Sequence, residues 1–468
     1  MNIQILLTIL KKLCIIRRSI FKKREKRRKM PNTRTNQYAQ RLSKLIQAET
    51  VSSEAKGDRT KFYQFHKLLR QTFPKLFEVC AFEDFNGSIL LCWKGSGSDE
   101  PVMLMNHCDV VEAPGEWKYP PFSGTIAEGR IWGRGTLDNK GGLWAMLQAA
   151  DELAAEGFVP RRDVYFVSTC MEECDGSGAD SISNALLERG IHFAMVLDEG
   201  GMILQEPIGG AKGTYAMVGL GEKGCVDLKF IARSAGGHAS TPERDTPLIR
   251  LGKFMAEVDR GRIFPATLSP TVCAMFKEIS KSMSGYMKLV LGHPKLFSPL
   301  LVRVIPAVSN VAAAMLKTTV AFTMASGSEG ANVLPQEAWV MGNMRYSHHQ
   351  GGRASVEAIT RLAAKYDIET VVLDPGFDSP LSDHQSEAFA LVERAVAAVF
   401  PNVRTSPYVM TGASDCRYMS RVSENCLRFA PFLIDGKQME SIHGINENLE
   451  LSALTPAVDF YRYVLTEV

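Results

Sequence analysis

Apolar residues fall into two kinds of stretch along the chain. Short continuous runs at 102–106, 164–169 and 194–197 are too brief for helices and read as buried strands. Elsewhere apolar positions recur at helical spacing, over 38–48, 61–72 and 143–156, the last ending at Gly157. Helix and strand in alternation predict an α/β architecture, a mostly parallel sheet flanked by helices.

After Gly221 the pattern changes. Residues 226–232 alternate as a half-buried strand does, 247–258 return to helical spacing, and 282–316 form a long stretch rich in Met, Leu and Pro. Two more strand patterns, at 318–324 and 338–346, close this region. Alternation of helix and strand resumes at 353–366, 370–373, 386–400 and 426–430, and a terminal helix covers 455–466. The expected division is therefore a basic, apolar tail at 1–30 outside the fold, a first part of the α/β unit at 31–218, an inserted α+β domain at 219–346, and a second part of the α/β unit at 347–468.

Charge changes this picture only at the start of the chain. The 468 residues carry a formal charge of +3, but residues 1–30 hold eleven Lys and Arg against one Glu, a net of +10, which leaves −7 on the rest. A nucleic-acid reading of the whole chain is thereby excluded. The tail has the chemistry for peripheral contact with an anionic membrane; a solvated extension, or a true start at Met30, is its plainer reading. It is a poor secretory signal, because Lys11 and Lys12 follow the apolar stretch. The ten cysteines form no CxxC pair, and Cys92, Cys170 and Cys426 sit in apolar runs. Reduced, packed thiols and a cytoplasmic location are the expectation. No P-loop, no GxGxxG after a strand and no GxSxG elbow is present, which counts against nucleotide binding and serine hydrolysis.

The candidate chemistry sits at the ends of the three apolar runs. The first delivers His107, the second Glu172 and Glu173, the third Asp198 and Glu199. Open α/β sheets build their sites at the carboxyl ends of strands, so these side chains are expected at one edge. Asp138 precedes the helix at 143–156, where the helix dipole favours a carboxylate. Several carboxylates in one partly desolvated cleft would raise each other's pKa, and one or two divalent cations resolve that conflict. A second histidine, His443, returns in a Gly-containing loop before the terminal helix.

Nine motifs in order then carry a resemblance. They are HCDVV at 107–111, Trp117 with Pro121-Phe122, GRGTLDNK at 133–140, Glu172-Glu173, Gly236-Gly237-His238, NVLP at 332–335, Arg345, the segment 412–417, and HGINE at 443–447. Together they resemble the M20 metallopeptidases, in particular the carboxypeptidase S and N-acyl-amino-acid hydrolase branch, from about residue 40 to the end. The resemblance implies a zinc-peptidase-like α/β fold with an inserted lid or dimerisation domain, and a homodimer formed through that domain. It implies two zinc ions, replaceable by Co2+ or Mn2+, held by His107, Asp138, Glu173, Asp198 and His443. Asp138 would bridge, with His107 and Asp198 on one ion and Glu173 and His443 on the other; Glu199, next to Asp198, could exchange roles with it. Three protein ligands per ion leave room for water, as a catalytic site requires.

The resemblance also assigns roles. Glu172 becomes the general base, and Asp109 the carboxylate that orients His107. His238 would bind the developing oxyanion, often across a dimer. Asn332 and Arg345, with Gly412 near by, would hold the free carboxylate of a substrate; a guanidinium fork suits that task. Asn139 departs from the family, many members having Asp there. The implied activity is hydrolysis of an amide to release an amino acid, from a small peptide or an N-acyl amino acid. The alternative is a metal-containing, inactive amino-acid-binding or scaffolding protein, which would have no need of Glu172.

Other residues carry plainer readings. His66, His192, His293, His348, His349 and His384 are read as ordinary hydrogen-bonded or surface histidines, Cys108 and Cys174 as packing residues, and the turn at 133–135 as tight packing. The stretch 282–316 is read as domain core or subunit interface, with contact to a lipophilic acyl group as its alternative.

Overall fold

The computed structural model describes residues 33–468 apart from 54–56, 309 and 377. The expectation for the tail at 1–30 lies outside the described residues. In chain order the strands are β1 (Cys80–Phe85), β2 (Ser88–Trp93), β3 (Val102–His107), β4 (Thr125–Ala127), β5 (Arg130–Trp132), β6 (Val164–Thr169), β7 (Met195–Gln205) and β8 (Thr214–Glu222). The middle of the chain adds β9 (Gly224–Arg233), β10 (Gly237–His238), β11 (Thr319–Ser326), β12 (Val333–Leu334), β13 (Glu337–Tyr346) and β14 (Glu369–Asp374). The last part adds β15 (Val403–Met410), β16 (Cys426–Ile434) and β17 (Asn448–Glu450).

One mixed sheet of eight strands runs in the order β1-β2-β6-β3-β7-β16-β8-β15. Its centre, β6-β3-β7-β16, is parallel, whereas β1, β2 and β8 join antiparallel. Every residue of β3 and β6 is buried, which is why both read as unbroken apolar runs. Val102 and Leu104 face the core that contains Trp144 and the terminal helix. Met103 and Met105 face the opposite core, against Ile182 and Leu186 of helix Ser177–Glu188. Because the central strands are parallel, His107 at the end of β3 and the Glu172-Glu173 pair just beyond β6 arrive at the same edge.

A second sheet of four strands, β11-β13-β9-β14, forms the smaller unit. It departs from the expected division at its C-terminal boundary and in its interior. β14 pairs with β9, Glu369 opposite Ile231, and helix Gly352–Ala364 buries Ile359 and Ala363 in the same core as Phe230 and Phe254. The small unit therefore continues past 346 to β14. Conversely, the helices between 270 and 316 leave that unit: Val272, Phe276, Leu291 and Leu301 pack with Tyr215 and Val409, on β8 and β15 of the large sheet. Sheet membership is set by distant partners, which local periodicity does not encode. β10 and β12 form a separate two-stranded ribbon, with His238 opposite Val333.

Candidate metal centre

His107 is buried at the end of β3. Its Nδ1 lies 3.0 Å from the Asp109 carbonyl oxygen, which can only accept, so the proton sits on Nδ1 and Nε2 is left as a ligand atom. That Nε2 is 3.0 Å from Asp138 Oδ1 and 3.3 Å from Glu199 Oε1. The other oxygen of Asp138, Oδ2, is 3.2 Å from His443 Nε2, and His443 Nε2 is 3.0 Å from Glu173 Oε2. Two groups result, His107-Asp138-Glu199 and Asp138-Glu173-His443, each compact enough to hold one cation and sharing Asp138.

Asp198 does not take the place expected for it. β7 and β16 are in register at Asp198 and Arg428, but the next pair is Gly201 with Phe429, so Glu199 and Gly200 are bulged out. Bulges of this kind re-aim side chains. Asp198 instead accepts a hydrogen bond from the Cys416 amide at 2.8 Å, while Glu199 faces His107. Gly200 supports the bulge with a φ of 130°, where an added Cβ would lie 2.7 Å from Met410 Sδ. The acidic side chain that β7 brings to the candidate ligand groups is thus Glu199 and not the expected Asp198, a correction that turns on one residue of register.

The centre is held by buried carboxylates that do not ligate. Asp109 accepts the amides of Glu172 and Glu173, at 3.3 and 3.1 Å, and its Oδ1 lies 3.4 Å from His107 Nδ1. One side chain therefore orients the histidine and both glutamates. Glu447 does the same for the bridging aspartate: Oε1 accepts from the amides of Leu137 and Asp138, and Oε2 from Gly135 N and Arg134 Nη1. Arg134 also donates to the Gly444 carbonyl, which clamps the His443 loop onto the Asp138 loop. The segment HGINE at 443–447 pointed to Glu447, but its role was visible only once its amide partners were in place.

Electrostatics fit a cation site. Burial would lower the His107 pKa, but the Glu199 charge and the hydrogen bonds to Asp109 and Asp138 outweigh it and raise it well above the usual range. Hydrogen bonds to Asp138 and Glu173 lift His443 to about 10. Burial pushes Glu199 up to about 8 and raises Glu173. Burial would raise Asp138 too, but its hydrogen bonds to His107 and His443 hold it far below the carboxylate range. Positive charge is thus in demand, and without a metal it is met by protons on the two histidines. The buried Oε1 of Glu173 has no hydrogen-bond partner among the described residues, as expected of an atom reserved for a ligand.

Glu172 belongs to neither group of ligands. Burial first, then the Glu199, Asp415 and Glu173 charges, raise its pKa well above the usual value despite the opposing pull of His107. It lines a cleft of about 1060 Å³ with Asp138, Glu173, Glu199 and His443. Arg345 and Gly412 line the same cleft, as does Arg417, which the sequence reading passed over as part of a motif. Arg345 Nε donates to Asn343 at 3.0 Å, and the Arg417 guanidinium lies over the Tyr418 ring at 4.9 Å. Lys223, also in the cleft, donates to the Lys317 carbonyl and Thr319; burial and the Arg345 charge bring it down to about 7. Met217, Met275, Met315, Met410 and Tyr408 supply an apolar lining that periodicity alone did not reveal. His238 and Asn332 do not line it. His238 lies on the β10–β12 ribbon and Asn332 immediately before β12, where the Asn332 carbonyl accepts from Ala239 and His238 Nδ1 lies 2.8 Å from Ser240 Oγ.

Known proteins match this arrangement over most of the chain. A probable carboxypeptidase S-like protein of Dictyostelium discoideum is 30% identical over 92% of this chain and 84% of its own length. The Homo sapiens N-fatty-acyl-amino acid synthase/hydrolase PM20D1 is 32% identical over 90% of this chain and 85% of its own length. The crystal structure of an M20 family metallo-carboxypeptidase from Sulfolobus solfataricus, at 18% identity, superposes with a TM-score of 0.66 over 91% of this chain and 97% of its own. The profile of peptidase family M20/M25/M40 covers residues 103–467, from within β3 to the end of the terminal helix, and so takes in every residue of the two ligand groups. The chain is an enzyme of the metallopeptidase type, a member of the M20/M25/M40 peptidase family.

Proposed function

We propose that this protein is a two-metal amidohydrolase that releases an amino acid from an N-acyl amino acid carrying a long apolar acyl group. The observation that carries the reading is the pair of ligand groups sharing Asp138, with Glu172 beside them and in neither. His107, Asp138 and Glu199 would hold one cation and Asp138, Glu173 and His443 the other. Such a pair, when bound, supplies Lewis acidity to the scissile carbonyl and to a water.

The chain's own residues do the rest. Glu172, whose burial makes its carboxylate a stronger base, takes the proton of the attacking water and returns it to the leaving nitrogen. Arg345 and Arg417 offer two guanidinium groups in the cleft to the free carboxylate of the leaving amino acid. The methionines of the lining are adaptable apolar contacts, suited to a flexible acyl chain more than to a second amino acid. The PM20D1 relative, named for N-fatty-acyl amino acids, supports that choice; the carboxypeptidase name of the Dictyostelium relative supports the peptide alternative.

His238 and Asn332 stand outside the cleft of their own chain, so on this reading the ribbon serves the cleft of a second copy, where His238 hydrogen-bonds the developing oxyanion. A hydrolysis panel tests the proposal: N-acyl amino acids of increasing chain length against dipeptides, with and without a chelator. The expected result is chelator-sensitive turnover that rises with acyl length. Preference for dipeptides, or turnover indifferent to the chelator, would contradict it.

A further inference from the structure

The helices packed behind the cleft wall have a second, outward side. Met275 and Met315 line the cleft, and Leu291 and Leu301 are buried with them in one core. A helix covered on one side should present polar residues on the other. Helices Gly285–Gly292 and Ser298–Val308, joined by a short turn, present large apolar residues there as well. Tyr286 is 77% exposed and Leu296 76% exposed, and Leu289, Leu300 and Val304 are exposed with them. Five of the nineteen large exposed apolar side chains among the described residues thus fall within nineteen residues, although single exposed ones are scattered elsewhere.

Charge decides what would cover this surface. Lys288, Lys295 and Arg303 are interspersed with the apolar residues and are exposed, and none forms an ion pair among the described residues. No Asp or Glu occurs between Glu278 and Glu329. We propose that the outer face of residues 285–308 docks on an anionic lipid surface, with Tyr286, Leu289, Leu296 and Leu300 entering the interface and Lys288, Lys295 and Arg303 meeting the headgroups. Apolar side chains flanked by unpaired cations are the composition of helices that lie in a membrane interface. A second copy fits less well, because a two-fold contact of this face with itself would set the cations against each other. The surface is separate from the residues that hold metal or substrate, so the inference stands whatever the cleft hydrolyses.

Hydrogen–deuterium exchange on the full chain tests it, with vesicles of phosphatidylcholine alone or phosphatidylcholine with phosphatidylserine. Exchange is read peptide by peptide, which separates this face from the basic residues 1–30. Peptides covering 285–308 should be protected by the phosphatidylserine vesicles and little by the neutral ones. Replacing Lys288, Lys295 and Arg303 by Gln should weaken partition onto the anionic vesicles by roughly a hundredfold. The double variant Leu296→Asp/Leu300→Asp should abolish the protection while hydrolysis of a soluble substrate is unchanged. Vesicle binding without protection at 285–308, or partition unaffected by these variants, would overturn the proposal. So would protection that grows with protein concentration in the absence of vesicles, the mark of self-association.

Discussion

Two parts of the molecule carry the residues expected to act on substrate, and they are built in opposite ways. At the edge of the large sheet, residues from His107 to His443 converge, and Asp109 and Glu447 spend every acceptor oxygen on their neighbours. At the β10–β12 ribbon, His238 and Asn332 stand in the open, and the ribbon has only two paired positions. The contrast separates a centre that one chain preorganises from a surface that, on the proposed reading, a second copy would complete. Preorganised sites need such supporting shells to hold their geometry. A ribbon proposed to serve a second copy's cleft would need exposure instead.

Glu172→Gln should lower turnover by roughly 10² to 10⁴ while metal content, read by elemental analysis, stays at the wild-type level; unchanged turnover would remove Glu172 from the chemistry. Glu447→Ala leaves the buried Arg134 and three amides without their acceptor, so thermal unfolding should register a loss of about 3–5 kcal/mol and bound metal should fall with it. A variant of full stability would mean that the loop holds Asp138 unaided.

His238→Ala should behave in the reverse manner, with stability and metal content intact and turnover down by roughly 10² to 10³, the cost of one oxyanion donor. Mixed with Glu172→Gln, it should recover part of the activity, since the hybrid dimer pairs an intact cleft with an intact ribbon. No recovery would place His238 outside the chemistry of a partner's cleft.

The smallest effect concerns protons. In the metal-free protein His443 is raised from 6.5 to about 10, so it is charged at pH 7 and must lose its proton to ligate. Metal binding at pH 7 should therefore release protons, measurable by calorimetry in buffers of different ionisation enthalpy, and affinity should rise with pH. The sign for folding is opposite. A histidine raised in the folded state stabilises the metal-free protein fully below about 6.5, and this contribution is lost as pH rises towards 10. Metal-free protein should accordingly lose thermal stability across that window, more than the metal-loaded form.

Much of the centre was legible in the sequence because strands buried on both faces write themselves as apolar runs. β3 and β6 were visible in this way, and with them His107 and the Glu172-Glu173 pair. Helix Lys140–Ala155, which follows Asp138, was visible through its period. What was not legible depended on partners far along the chain. Asp198 and Glu199 are adjacent acids, and only the bulge against β16 decides between them. Glu447 is an unremarkable carboxylate until its loop closes on residues 134–138. β15 carries Pro407 and Arg404 and lacks a clean alternation, yet it is held in the large sheet by β8. β14 showed its strand pattern, but not that its neighbour would be β9.

The central claim, two cations sharing Asp138, is most directly tested by anomalous diffraction at the zinc edge from crystals of the metal-loaded enzyme. The account predicts two peaks flanking the Asp138 carboxylate, one in contact with His107 and Glu199 and the other with Glu173 and His443. A single peak, or an ion held by Asp198 with Glu199 turned away, would contradict it.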